Sequence, residues 1–131
     1  ARVWNDAYNA NPASMVAALV ALAAEPARRR IAVLGEMWEL GSEAGRYHRE
    51  TGRRAAETEV DVFVAVGRYA DEMASGAADG GLSAARVRRF DSPEAAAGWL
   101  RGELRGGDVV LVKGSRGARM EEVLRGLGDV E

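Results

Sequence analysis

The sequence contains no cysteine, which excludes disulfide bonds and thiolate metal sites. Its single histidine rules out a histidine-rich metal site. No apolar run approaches the roughly 18 residues that a membrane-spanning helix needs, and no signal-peptide pattern opens the chain. An excess of one charge is also missing. Eighteen basic residues stand against 20 acidic ones, a formal net charge of −2. That balance supports neither a nucleic-acid partner nor an anionic membrane surface. GxxxxGK[ST] occurs nowhere, and no GxGxxG follows the first strand candidate. The chain therefore lacks the usual equipment for gripping a nucleoside triphosphate unaided. A cytoplasmic protein is the simplest expectation.

What the chain does have is a regular alternation. Of its 131 residues, 47% are hydrophobic and 29% charged, enough for one domain over 1–131 with a single core. Sixteen glycines point to many tight strand-to-helix turns. Apolar, strand-like runs lie at 2–5, 31–34, 60–66, 87–90 and 109–112. Several are continuous rather than alternating, as in strands covered on both faces. Helical patterns fill the gaps, at 12–24, 43–57, 69–76, 93–104 and 119–127. Asn11 before Pro12, and Ser92 before Pro93, each pair an N-cap with a proline at the first helical position. The order predicts a three-layer α/β/α, Rossmann-like domain with a mainly parallel sheet of about five strands. Right-handed crossovers then gather the strand-to-helix loops on one rim. The glycine-rich run 75–83 is expected on the opposite rim as a flexible loop. The chain opens in a strand without an initiator methionine, which reads as a fragment of a longer protein.

Two of the rim loops carry candidate chemistry. Lys113-Gly114-Ser115-Arg116-Gly117 follows a buried strand and precedes a helix. Its glycines permit close backbone approach, Lys113 and Arg116 add charge, and Ser115 adds a hydroxyl, a set suited to a phosphate or carboxylate. A tight turn with two solvated cations is the plainer reading. The 6–11 loop offers a carboxylate (Asp6), a phenol (Tyr8) and two amides (Asn9, Asn11). Asp6 suits ribose hydroxyls, Tyr8 a base, and Asn9 a phosphate or amine, whereas capping alone accounts for Asn11. Glu36 and Glu39, beyond the second strand, suit Mg²⁺ or a substrate ammonium, or simply a solvated loop. Trp38 between them suits a lid or a contact with a neighbouring domain. His48 sits in a charged helix, where surface or packing roles are usual. Helix-dipole complementarity and solubility account for the run Arg28-Arg29-Arg30.

Four segments, in order, carry a family resemblance. They are Asp-Ala-Tyr-Asn-Ala-Asn-Pro-x-Ser-Met at 6–15, Val-Leu-Gly-Glu-Met-Trp-Glu-Leu-Gly at 33–41, His48, and Val-Lys-Gly-Ser-Arg-Gly-x-Arg-Met-Glu at 112–121. Nearly end to end, the chain resembles the C-terminal domain of the Mur ligases, in the branch that ligates D-alanyl-D-alanine. Two positions depart from that pattern. Asn5 stands where a second aspartate is usual, and Glu36 replaces the aspartate of a Gly-Asp-Met segment.

The resemblance implies an ATP-dependent ligase that joins D-Ala-D-Ala to UDP-MurNAc-tripeptide through an acyl phosphate, in cell-wall synthesis. It implies absent N-terminal and central domains, the latter holding the P-loop and most of the Mg²⁺ ligands, so that this chain binds no metal of its own. It also implies a family sheet whose first, antiparallel strand precedes this chain, with the remaining strands in the order 1-5-2-3-4. Under that order the 6–11 and 113–117 loops lie side by side. Asp6, Tyr8, Asn9 and Asn11 would then face ATP, Lys113 and Arg116 would stabilise developing charge, and Ser115, Glu36 and Trp38 would face substrate. A related Mur or folylpolyglutamate-type ligase with another amine, a stand-alone nucleotide- or anion-binding module, and a purely structural interaction domain are the alternatives.

Overall fold

A computed structural model describes residues 1–127. Five strands alternate with five helices: β1 (Arg2–Asp6), α1 (Pro12–Ala23), β2 (Arg29–Leu34), α2 (Ala44–Glu57), β3 (Val62–Val66), α3 (Ala70–Asp79), β4 (Val87–Phe90), α4 (Pro93–Glu103), β5 (Asp108–Lys113) and α5 (Glu121–Leu127). Short 3₁₀ turns occupy Gly41–Glu43, Ala84–Arg86 and Arg116–Ala118. The sheet order is β1-β5-β2-β3-β4, and every pairing is parallel. This is the α/β architecture expected from the sequence pattern and the strand order that the family resemblance implies.

The strands alternate between two cores. Ala32, Leu34, Phe63, Ala65, Val109 and Leu111 pack with α1, α2 and α3 on one face. Ile31, Val33, Val64, Val66, Val110 and Val112 pack with α4 and α5 on the other. All six residues of β5 are buried, which is why its sequence reads as a continuous apolar run. Local signals fix the helix starts. Asn11 Oδ1 accepts the Ser14 amide at 2.8 Å while Ser14 Oγ accepts the Asn11 amide at 2.9 Å, a complete capping box. Ser92 Oγ accepts the Ala95 amide at 3.1 Å.

Three expectations need correction. The third strand begins at Val62 rather than at position 60: Val60 is buried in the preceding turn, and Asp61 binds the Arg30 amide through its carboxylate at 2.7 Å. The run 75–83 is not a loop throughout, because α3 continues to Asp79. Gly76 lies in the crossing of two helices: a Cβ there would stand 1.8 Å from the Arg49 carbonyl oxygen, and one on Gly52 would stand 1.9 Å from that of Met73. These glycines let α2 and α3 touch backbone to backbone. Finally, Arg29 and Arg30 belong to β2, and Arg29 binds the buried Asp108 carboxylate at 2.9 Å rather than serving only solubility.

Candidate functional site

Because the strands are parallel, all strand-to-helix connections emerge on one rim. At three places on that rim neighbouring strands send the chain to opposite faces. β5 leads into α5 on one face, whereas its neighbours β1 and β2 lead into α1 and α2 on the other; β3 and β4 divide in the same way. Such switch points open crevices at the strand ends, where ligands of α/β proteins bind.

The β1/β5 crevice is built from the bottom by one ion pair. Asp6 and Lys113 are register partners at the ends of their strands. Lys113 Nζ donates to Asp6 Oδ2 at 2.5 Å and to the Asn9 carbonyl at 2.9 Å. The Lys113 side chain is only 2% exposed, against 44% for Asp6. Lys113 thus lies beneath the crevice and ties the 6–11 loop to β5. Ser115, itself buried, joins three turns. Its amide donates to the Glu36 carbonyl at 2.8 Å, its hydroxyl accepts the Trp38 amide at 2.8 Å, and the same hydroxyl donates to the Ala10 carbonyl at 3.2 Å. The ends of β1, β2 and β5 therefore meet at one side chain.

Glycine makes the approach possible. The buried Met120 side chain fills the space between Gly35 and Gly114, and a Cβ on either glycine would fall within 2.5 Å of it. At Gly117 a Cβ would stand 2.2 Å from Trp38 Cη2, so the indole lies across the β5 turn. The result is a cleft of about 260 Å³ lined by Tyr8, Asn9, Trp38, Ser115 and Arg116. Tyr8 and Trp38, 56% and 52% exposed, put two large rings on its walls. Arg116 is exposed and forms no ion pair among the described residues.

A second, larger cleft of about 710 Å³ lies at the β3/β4 switch point, between Glu36, Gly67, Arg68, Asp71, Arg89 and Asp91. Glu36 reaches it from the β2 turn, and its Oε1 accepts the Arg68 amide at 3.2 Å. Arg89 is paired with Asp71 at 2.9 Å. The two clefts share the 36–38 turn as their common wall.

Of the residues singled out from the sequence, Tyr8, Asn9, Trp38, Ser115 and Arg116 line the first cleft, and Asp6 and Lys113 lie at its base. Glu36 faces the second. Asn11 is engaged as a cap through Oδ1. No group of three or more His, Asp or Glu side chains that could hold a metal occurs among the described residues. No helix among them is long and apolar enough to cross a membrane.

Sequence reasoning passed over Arg68, Tyr69, Arg89 and Asp91, which carry no local motif. It also left His48 between surface and core. The structure buries it fully. The available signal was a stripe of small residues at helical spacing, Ala44, His48, Thr51, Gly52 and Ala55, all buried on one face of α2. Burial holds the His48 imidazole below its ordinary pKa, against the opposing pull of the Ala44 carbonyl and of Glu36 and Glu72.

Comparison with known proteins agrees with this geometry. Residues 1–116 match the family described as Mur ligase, glutamate ligase domain. UDP-N-acetylmuramoyl-tripeptide–D-alanyl-D-alanine ligase of Mycobacterium tuberculosis is 44% identical over 140 residues, covering 92% of this chain and 27% of the relative. The Escherichia coli ligase of the same name is 36% identical over 129 residues, covering 94% and 26%. Crystal structures of MurF from Acinetobacter baumannii and of a MurF ligase from Thermotoga maritima in complex with ADP superpose with TM-scores of 0.84 and 0.78. Their identities are 32% and 30%, and each match covers 95% of this chain and 27% of the other. The chain spans about a quarter of the length of the curated relatives it matches. It belongs to the Mur ligase family, as a C-terminal, glutamate-ligase domain of the MurF type.

Proposed function

We propose that this chain is the C-terminal domain of an ATP-dependent ligase that adds D-alanyl-D-alanine to UDP-N-acetylmuramoyl-tripeptide in peptidoglycan synthesis. On this reading the N-terminal and central domains of the same protein complete the site. The observation that carries it is the convergence of three strand-end turns on Ser115, around a cleft with two exposed rings and an arginine that forms no ion pair among the described residues.

Each part of the cleft matches a part of the reaction. Tyr8 and Trp38 present faces on which adenine can stack, an interaction worth about 1–3 kcal/mol. Asp6 takes the ribose hydroxyls, and Asn9 and Asn11 lie toward the phosphates. The γ-phosphoryl group passes to the tripeptide carboxylate, giving ADP and an acyl phosphate. The dipeptide amine then attacks the carbonyl carbon, and the tetrahedral intermediate expels inorganic phosphate as the amide forms and the amine proton leaves. Arg116 faces the transferred phosphoryl group and offsets the charge that develops there. Lys113 acts from beneath by holding the 6–11 loop. The second cleft takes the dipeptide, with Glu36 toward its amino end and Arg68 toward its carboxylate. Closure of the other domains positions the reactants and excludes water. Mg²⁺ is held outside this chain.

In the complete ligase, Arg116→Ala is expected to lower kcat by about 100-fold or more with unchanged thermal stability, since Arg116 is solvent-facing. Lys113→Met is expected to lower both. A normal kcat in Arg116→Ala removes that residue from the site. Phosphate release measured with D-Ala-D-Ala, single amino acids and glutamate decides the amine: a preference for either of the latter overturns the dipeptide.

A further inference from the structure

One buried titratable side chain has no part in the ligation scheme. His48 projects from α2 between two of the rim turns. Its Nε2 accepts the Met37 amide at 2.9 Å, and its Nδ1 lies 2.6 Å from the Ala44 carbonyl. A carbonyl accepts only, and the Met37 amide donates only, so the hydrogen-bond pattern fixes the ring as the neutral Nδ1–H tautomer. The ring also stacks on Tyr69, with centroids 4.2 Å apart and planes inclined by 14°. Tyr69 follows Arg68 in the β3 turn. His48 thus touches both the β2 turn, which separates the two clefts, and the β3 turn, which lines the larger one.

We infer that His48 is a positioning residue for this site: its neutral imidazole clamps the 36–38 turn to α2, holding Glu36 and Trp38 at the edges of the two clefts. Without the clamp, the Met37 amide loses its acceptor. The turn then keeps its tethers to Ser115, at the Glu36 carbonyl and the Trp38 amide, and that of the Glu36 carboxylate to the Arg68 amide. A protonated ring has the same effect, because Nε2 then carries a hydrogen directed at another donor. The charged groups facing the ring favour that proton. They are Glu36 from the β2 turn and Glu72 from α3. Arg49, next to it on α2, is already bound to Glu72 at 3.0 Å. Tyr69 faces the ring as a neutral stacking partner, and α1 brings no charged residue. Burial of the ring opposes the carboxylates and keeps it neutral at neutral pH.

The structural half of this inference needs no ligand; its consequence for turnover rests on the ligase reading above. NMR of the chain with labelled histidine tests the structural half directly. The wild-type ring nitrogens should report the Nδ1–H tautomer at pH 7.5, and on acidification the Met37 and Trp38 amide signals should move with the same midpoint as the ring, below the ordinary 6.5. A ring in the Nε2–H form, or Met37 and Trp38 signals that stay put while it titrates, overturns the clamp. His48→Phe keeps the stacking but removes the acceptor, and should speed Met37 amide exchange relative to β5 amides by roughly tenfold, the effect of one lost hydrogen bond. His48→Gln restores an acceptor and should recover part of that protection. In the complete ligase the two variants should differ in the same order in kcat. Wild-type kcat in His48→Phe with Met37 protection lost would leave the clamp standing but overturn its role in positioning.

Discussion

At Asp108 the chain buries a carboxylate and surrounds it with donors. Arg29 binds both oxygens, at 3.3 and 2.9 Å, the Arg105 amide donates at 2.9 Å, and Arg28 lies at 3.3 Å. Burial would push the carboxyl pKa up, but the Arg29 and Arg105 hydrogen bonds and the two guanidinium charges outweigh it and hold the group below its usual value. The stability this contributes is present above the unfolded pKa near 3.8 and is lost as pH falls through the lower folded value. Arg29→Met should therefore cost about 2–3 kcal/mol in urea unfolding at pH 7, at the low end for a broken buried pair because Arg29 is 22% exposed. The deficit should shrink once the carboxyl is protonated. His48 works in the opposite chemical sense with the same sign. Its folded pKa is depressed because the neutral form is the one accommodated. Its contribution is full above about 6.5 and declines as pH drops toward the folded pKa. Stability measured across that range should fall in the wild type and lose that component in His48→Gln.

At the level of elements, the α2/α3 crossing reverses an ordinary rule. Glycine to alanine in a helix normally adds about 1 kcal/mol. At Gly52 and Gly76 the new methyl would meet the facing helix backbone at 1.9 and 1.8 Å, and backbone cannot step aside as a side chain tip can. Each substitution should instead destabilise by about 2–3 kcal/mol. Gly98 and Gly102 in α4 face open space, so alanine there should stabilise, giving an internal control in the same thermal-melt series. The contrast explains what the sequence conveyed. Asn11-Pro12 and Ser92-Pro93 are local signals, and they place two helix starts. The apolar runs of β2 and β5 mark buried parallel strands. Gly76 by itself looks like a helix breaker, because its reason for being glycine lies on another helix. The hydroxyl of Ser115 is a similar case. Its Ala10 partner is 105 residues away in the chain, and no spacing rule reaches that far. The adjacency of the 6–11 and 113–117 loops came from the family pattern; the structure supplies the Asp6–Lys113 pair that enforces it.

At the scale of the whole molecule, the clefts are shallow and lie on an open rim, and the chain covers about a quarter of its full-length relatives. On the proposed reading this rim is half a site, and half a site binds weakly. Titrated with ADP, this chain alone should show NMR perturbations confined to the turns after β1, β2 and β5, with an affinity far below that of the complete ligase, and it should turn over no substrate. Ligase activity from the isolated chain would contradict the division of labour proposed here.

The pairing of β1 bears on how the molecule is made. Among the described residues its only sheet partner is β5, the last strand. Loop-closure entropy must be met before such a distant contact is rewarded. On the ribosome, β2, β3 and β4 can assemble with their helices while β1 waits, exposed, for nearly the entire domain to emerge. The turn after β1 is thus ordered by the last strand among the described residues, and a message truncated before that strand yields a protein without this cleft.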